Sequence, residues 1–143
     1  MCYTGEPRLS GTNNWEIFKK HINGDRDIFT LFDGIRDSAA RMRQALADGD
    51  WDGIGATMRD AYPKRKQLAP NITTPHMEKI VETALAGGAE AAKICGAGGG
   101  GCIAFLCADG HKAEVEAALA AIDVEVLNWT LARQGLIVRE VAQ

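Results

Sequence analysis

Apolar residues recur every three or four positions in the N-terminal part of the chain, a spacing that is typical of amphipathic helices. It predicts a short helix over residues 15–22, a long helix over 28–46, and two further helices that follow Asp50 and Thr74. Both residues are predicted N-caps, because their short polar side chains can accept hydrogen bonds from the first helical amides. Before the first helix, closely spaced glycine, proline and asparagine residues predict an irregular loop.

The pattern changes near Gly88 to short apolar runs separated by turn residues, which is typical of β-strands. One helix is predicted among them, over residues 112–121. The predicted strands cover residues 1–4, 91–95, 102–107, 124–130 and 136–141. The combination favours an α+β fold in which helices cover a ferredoxin-like antiparallel sheet, with a helical N-terminal half.

The length and net charge of the chain limit the number of domains and the classes of binding partner. With 143 residues, 46% of them hydrophobic, the chain is predicted to form a single domain over residues 1–143. The net charge of −3 argues against a general nucleic-acid or membrane-surface role, which would require a basic face. We find neither a signal peptide nor a long apolar span, and therefore predict a cytoplasmic protein.

The four cysteines contain no Cys-x-x-Cys pair, which argues for free thiols in a reducing compartment and against a metal site. They are Cys2, Cys95, Cys102 and Cys107. Cys95 and Cys102 flank the same predicted turn and are expected to face each other.

That turn is the most unusual stretch of the sequence: Gly96, Ala97, Gly98, Gly99, Gly100 and Gly101. Five ordered glycines carry an entropic cost, so we expect something to approach this backbone closely. Its amides could hold a phosphate or brace a loop that does. Alternatively, the glycines only permit a tight, closely packed turn. No Lys-Ser or Lys-Thr follows as in a P-loop, and the next element is a strand where a dinucleotide site needs a helix.

A basic cluster precedes this turn, with Arg59, Lys64, Arg65 and Lys66 set against Asp60. Such a cluster is either a solvated surface or an anion contact, for which arginine is well suited. Pro63 lies inside the cluster and predicts a kink or a new helical start, because proline lacks the N–H that a helix interior uses. Arg8 lies in another basic segment, with the same two interpretations, and His76 is interpreted as surface.

Three motifs resemble one enzyme family. Residues 93–102, Lys-Ile-Cys-Gly-Ala-Gly-Gly-Gly-Gly-Cys, resemble the third signature motif of the galactokinase, homoserine kinase, mevalonate kinase and phosphomevalonate kinase (GHMP) family. Thr4-Gly5-x-x-Arg8-x-Ser10 is similar to the segment that opens the C-terminal domain of its sugar kinases. The third motif resembles heptose-phosphate kinases and comprises Tyr62, Arg65, Lys66, Leu68, Ile72 and Pro75.

The resemblance implies the C-terminal, substrate-side domain of an ATP-dependent sugar or sugar-phosphate kinase. ATP and Mg²⁺ would be held mainly by an N-terminal half, whose motifs have no counterpart here, so that half is the expected partner and this chain alone is predicted to be inactive. The glycine loop would brace the nucleotide loop of that half, while Arg8, Arg65 and Lys66 would contact the substrate. No catalytic residue or metal ligand is predicted in this chain. The alternative is a non-catalytic regulatory or ligand-binding ferredoxin-like module.

Overall fold

A computed structural model describes residues 1–7 and 10–139, apart from the side chains of Ser10 and Thr12. This part of the chain forms helices and strands in the order expected of an α+β domain. The helices are α1 (Ser10–Ile22), α2 (Arg26–Asp48), α3 (Trp51–Gln67), α4 (Pro75–Ala86) and α5 (Lys112–Ala120). The strands are β1 (Cys2–Tyr3), β2 (Ala89–Ile94), β3 (Cys102–Cys107) and β4 (Glu125–Val126).

The four strands form one antiparallel sheet in the order β2-β3-β1-β4. This order is that of the ferredoxin-like βαββαβ unit, with α4 and α5 in the positions of its two helices. Helices α1, α2 and α3 are an addition between β1 and α4. The predicted fold class, an α+β fold with a helical N-terminal half, is therefore confirmed.

One hydrophobic core lies between the sheet and the helices. Helices α4 and α5 pack against each other, α4 also against β2 and α5 against β4. Helix α3 packs against β2 and carries α2 on its outer side. The largest fully buried side chains are Ile28, Leu68, Ile72, Met77, Ile80, Ile103 and Leu119. Because these residues come from helices, loops and the central strand, the core fixes the glycine turn relative to the helical half.

Polar caps begin three of the helices. Asp50 accepts a hydrogen bond from the Gly53 amide, and Thr74 accepts one from the Met77 amide, as predicted for both. Asp25 caps α2 by accepting from the amides of Asp27 and Ile28. This third cap was not predicted, so the long helix starts earlier than its apolar pattern alone indicated.

One prediction in the helical half is wrong, because helix α1 already begins at Ser10, where an irregular loop was expected. At Pro63 a kink or a new helical start was predicted. No new helix starts there, since α3 runs through Pro63 to Gln67, and the kink stays a prediction. Proline removes one helical hydrogen bond, but contacts from Tyr62 and Arg65 to other elements hold the last turns of α3 in place. Tertiary contacts therefore override local sequence signals in both helices.

The predicted C-terminal strands are also largely wrong. β4 ends at Val126, and residues 127–139 form neither helix nor strand, so no strand is present over 136–139. Residues 140–141 of the predicted strand lie outside the described residues. After β4, the Leu127 amide still donates to the Met1 carbonyl oxygen at 3.0 Å. The neighbouring strand β1 is only two residues long, so it offers no further partners. In the ranges that the structure describes, no helix is long and apolar enough to cross a bilayer.

Candidate functional site

The glycine turn connects β2 to β3 and forms one end of the sheet, as the strand-turn-strand prediction required. All five glycines of the turn adopt positive φ, from 71° at Gly99 to 132° at Gly100. Residues with a Cβ rarely adopt this region, whereas glycine enters it freely. The run of glycines is therefore needed for the path of the backbone itself.

Two other backbone segments approach this turn closely. A Cβ built on Gly98 would lie 2.4 Å from the carbonyl oxygen of Ile72, and one built on Gly100 would lie 2.7 Å from that of Glu6. Both distances are shorter than atoms can approach without displacement of the backbone. The prediction that something comes close to this backbone is confirmed, and the approaching groups belong to the same chain.

Main-chain hydrogen bonds join the three segments. The Gly99 amide donates to the Ile72 carbonyl oxygen at 2.9 Å, and the Gly101 amide donates to Glu6 at 2.8 Å. In return, the Thr4 amide donates to Gly101 at 2.8 Å. Two amides of the loop are thus occupied inside the chain, which supports tight packing as one function of the glycines. A role of the loop in holding or bracing an anion stays a prediction. Gly96 is the most exposed residue of the loop.

Two side chains from the helical half also hold the loop. Asn13 of α1 is buried, and its Nδ2 donates to Asn71 O at 2.9 Å and to Ala97 O at 3.5 Å. Arg65 of α3 donates from Nη2 to Gly96 O at 2.7 Å. Partial burial lowers the pKa of Arg65. Asn13 was missed because an asparagine beside glycines predicts a loop, whereas here it stabilises the start of a helix.

Lys66 points to a different cluster, centred on Glu78 in the first turn of α4. Glu78 accepts hydrogen bonds from Lys66 Nζ at 2.8 Å, Thr73 Oγ1 at 2.6 Å and Tyr62 Oη at 3.1 Å. Although partial burial opposes it, the three donors and the charge of Lys66 lower the pKa of Glu78. Burial, together with the Glu78 carboxylate, raises the pKa of Tyr62. The structure thus places the adjacent Arg65 and Lys66 in two separate networks.

The other members of the basic cluster also have partners within the chain. Lys64 pairs with Asp60, which also pairs with Arg41 of α2, and Arg59 Nη1 donates to Glu90 O at 3.3 Å. The cluster therefore joins α3 to its neighbours, and a purely solvated surface does not describe it. Arg8, the third predicted substrate contact, lies outside the described residues.

His76 has a structural contact that the sequence did not reveal. Its Nε2 lies 2.9 Å from the Thr4 carbonyl oxygen, which can only accept, so the ring nitrogen donates. Beside it, Thr74 Oγ1 donates to Glu6 Oε2 at 3.3 Å. The N-terminal segment is thus attached to the start of α4 as well as to the glycine loop.

The cysteines are free, with Cys2 buried and the other three half-buried. Cys95 and Cys102 face each other across the base of the turn, where the Cys95 amide donates to Cys102 O at 3.0 Å. Within residues 1–7 and 10–139, no three His, Cys, Asp or Glu side chains are grouped as a metal site would require.

Comparison with known proteins connects this geometry to a family. A sequence model described as "GHMP kinases C terminal" matches residues 42–123. Among curated proteins, the chain is 27% identical over 135 residues to a bifunctional fucokinase/GDP-fucose pyrophosphorylase of Arabidopsis thaliana. It is 24% identical over 121 residues to a D-glycero-alpha-D-manno-heptose 7-phosphate kinase of Campylobacter jejuni. These matches cover 92% and 85% of this chain, but only 13% and 36% of the two relatives.

Solved structures show the same fold. A Lin0012 protein from Listeria innocua superposes with a TM-score of 0.81 at 19% identity, covering 92% of this chain and 38% of that one. For L. major mevalonate kinase in complex with R-mevalonate, the TM-score is 0.74 at 23% identity, covering 84% of this chain and 36% of that one. The family match includes all of α3, α4, α5 and the glycine hairpin. The chain therefore belongs to the GHMP kinase family, of which it carries the C-terminal domain.

Proposed function

We propose that this chain is the substrate-side C-terminal domain of an ATP-dependent sugar or sugar-phosphate kinase. The observation that carries the proposal is the pair of curated relatives, a fucokinase and a heptose 7-phosphate kinase, which align with most of this chain. Two sequence motifs also favour the sugar-kinase branch of the family, namely the Thr4-Gly5-x-x-Arg8 opening and the Arg65-Lys66 pair. The reaction would transfer the γ-phosphoryl group of ATP to a sugar hydroxyl.

The glycine loop is the part of the chain that we place at the reaction centre. Gly98 and Gly100 pack against the chain's own backbone, which holds the turn rigid and leaves Gly96 exposed beside Arg65. A rigid main-chain corner can brace a phosphate-binding loop without the cost of ordering itself. In this proposal the loop, residues 96–101, positions the nucleotide loop of the other half, and no residue of this chain acts as the catalytic base.

Arg8, Arg65 and Lys66 are the proposed substrate contacts. Arg65 uses one guanidinium N–H on Gly96 O, which leaves donors for an anion at the same corner. Lys66 would have to exchange Glu78 for the substrate phosphate, since its ammonium is paired with that carboxylate. We therefore expect Arg65 to contribute more to substrate binding than Lys66.

The proposed partner is an N-terminal half that binds ATP and Mg²⁺. When bound there, MgATP supplies the phosphoryl group. Helix α1 offers a surface for such a partner, because Trp15, Phe18 and Ile22 lie on one face and are 61%, 57% and 75% exposed. Exposed apolar stripes of this kind mark interaction sites. The same helix contacts the glycine loop through Asn13, which lies on the face opposite to the stripe, so α1 connects this surface to the loop.

Reconstitution with an acceptor panel tests the proposal. The chain is mixed with a separately expressed ATP-binding half of a GHMP kinase from the same genome, and ADP release is measured with fucose, heptose 7-phosphate, mevalonate or phosphomevalonate. We expect ADP release only from the mixture and only with a sugar acceptor. Release with mevalonate alone would contradict the sugar branch. A stable complex that turns over no acceptor would contradict the kinase proposal and favour the regulatory module.

A further inference from the structure

A cavity of about 410 Å³ lies between α2, α3 and β2, and one of its lining residues, Arg65, donates to Gly96 O of the glycine loop. Its walls are mainly aliphatic and sulfur-containing side chains, namely Ile35, Ala39 and Met42 of α2, Met58 and Ala61 of α3, and Ile94 of β2. The size is that of a small-molecule site, and apolar walls of this kind favour an aliphatic ligand. Of the lining residues, the proposed phosphoryl transfer uses only Arg65.

Two cations lie at the edge of this apolar cavity. Arg65 and Lys93 both line it, and no Asp or Glu side chain does so. In the described part of the chain, neither cation is within salt-bridge distance of a carboxylate. Arg65 is half-buried and makes its hydrogen bond with the neutral carbonyl of Gly96. A partly desolvated guanidinium without a counter-ion is electrostatically complementary to an anion.

Two of the three uncharged polar side chains that line the cavity, Tyr62 and Ser38, already have hydrogen-bond partners, and the third is Thr57. Tyr62 Oη donates to Glu78, and Ser38 Oγ donates to Gly34 O at 2.8 Å. The guanidinium of Arg65 has five N–H groups and uses one on Gly96 O, so a bidentate contact with an anion remains open to it. The charged end of the cavity is therefore cationic and is complementary to one anionic head group.

We propose that this cavity binds a small amphipathic acid, whose aliphatic body lies between α2 and α3 and whose carboxylate or phosphate head contacts Arg65 and Lys93. The cavity shares Arg65 with the proposed substrate contacts, so an acid bound there would compete with the substrate anion for this guanidinium, while binding itself can be measured without kinase activity. Because Arg65 also holds Gly96 O, ligand binding would connect the cavity to the glycine loop. The occupied site would restrict Arg65 to one conformation and strengthen its hold on the loop.

Methionine methyl NMR on the full chain provides a direct test, because the methionines report on different places. Met42 and Met58 line the cavity, whereas Met77 is fully buried in the core and serves as an internal control. The probes are decanoate and decyl phosphate below their micelle concentrations, decanol without the charged head, and acetate without the body. We expect both anionic decyl probes to shift the signals of Met42 and Met58 and to leave Met77 unchanged.

Two variants separate the head contact from the body contact. Arg65→Gln should weaken decanoate binding about tenfold or more, the usual loss for a charge-assisted pair, and leave decanol binding unchanged. Ala61→Phe fills the space and should abolish both, while urea unfolding verifies that each variant is folded. A larger response to the carboxylate or to the phosphate identifies the head group.

Several results would overturn the proposal. Equal affinity for decanol and decanoate would show that the cations take no part. Equal shifts at Met77 would show nonspecific binding to the core. Absence of shifts with both anions, or a chain dimer that covers Met42 and Met58, would show that the cavity takes no small acid.

Discussion

The glycine turn and the C-terminal stretch of residues 127–139 lie at different edges of the same small sheet and differ in almost every respect. The turn has almost no side chains, yet backbone segments around Glu6 and Ile72 and side chains from two helices fix it in place. The C-terminal stretch is rich in strand-forming apolar residues, yet it forms no strand, and Leu136 is 94% exposed. In these two regions, regular structure depends on the hydrogen-bonding and packing partners within the chain, and the intrinsic strand propensity of the residues alone does not produce it.

The difference has a simple physical origin. A strand needs a neighbour whose hydrogen-bonding groups are free, and β1 ends after two residues. The glycine turn, in contrast, lets two carbonyl groups come closer than any side chain would allow. We interpret the exposed apolar stretch as a segment that requires a partner, and the turn as a part of the domain that is already complete.

We expect the largest loss of stability from a side chain added where the glycine turn comes closest to another backbone segment. Gly98→Ala combines a positive φ of 82° with a Cβ only 2.4 Å from Ile72 O, and it should lower the free energy of unfolding by more than about 3 kcal/mol. The matched control is Gly110→Ala, with a φ of 79° and nothing within 4 Å of the new Cβ. The control should cost only about 1 kcal/mol. Urea unfolding measures both, and equal losses would show that the close approach is unimportant.

Removal of the Asn13 amide should have the next largest effect. Asn13→Ala would leave the carbonyl groups of Asn71 and Ala97 without this donor in a buried region, at a cost of about 2 kcal/mol. The neighbouring Asn14→Ala, at an exposed position of the same helix, is the control and should change stability by less than about 0.5 kcal/mol. Similar losses from the two substitutions would contradict the assigned role of Asn13 in attaching α1 to the loop.

The Glu78 cluster should make stability depend on pH in the acidic range. Because the folded state lowers the pKa of Glu78, its contribution is complete above the usual glutamate pKa of about 4.3 and is lost as pH falls through the folded value. Glu78→Gln should cost about 1 kcal/mol at neutral pH and reduce this acid-side dependence. Unfolding curves from neutral to acidic pH measure both effects. If the unfolding free energy of the variant changed with pH as steeply as that of the unmodified chain, other carboxylates would be responsible for the pH dependence.

The smallest effect is expected in the C-terminal stretch. Leu136→Ser replaces a side chain that is 94% exposed, so the stability of this chain should change by less than about 0.5 kcal/mol. If a partner covers this segment, the same substitution should weaken the complex much more than it weakens the chain. A large loss in the isolated chain would show that the stretch packs against the domain.

Local signals in the sequence predicted the features that depend on local chemistry. The caps at Asp50 and Thr74, the β2–β3 hairpin and the need for glycine in its turn followed from residue type and spacing. Features that depend on distant partners were not predictable in this way. Continuation of α3 through Pro63 is one example, and the attachment of His76 to Thr4 is another.

The candidate site shows the same division. The sequence identified the glycine loop and the basic pair, but the spacing of Arg65 and Lys66 could not reveal that one holds Gly96 and the other pairs with Glu78. Adjacent residues on a helix point in directions about 100° apart, so each meets a different neighbour. Only the tertiary arrangement decides which neighbours those are.

Calorimetric titration of MgATP into this chain tests the central claim most directly, namely that the chain serves the substrate side and that nucleotide binding belongs to another half. We predict no binding with a dissociation constant below about 1 mM for the chain alone, and clear binding once an ATP-binding half is added. Tight binding of MgATP by the chain alone, accompanied by acceptor-dependent turnover, would contradict the account.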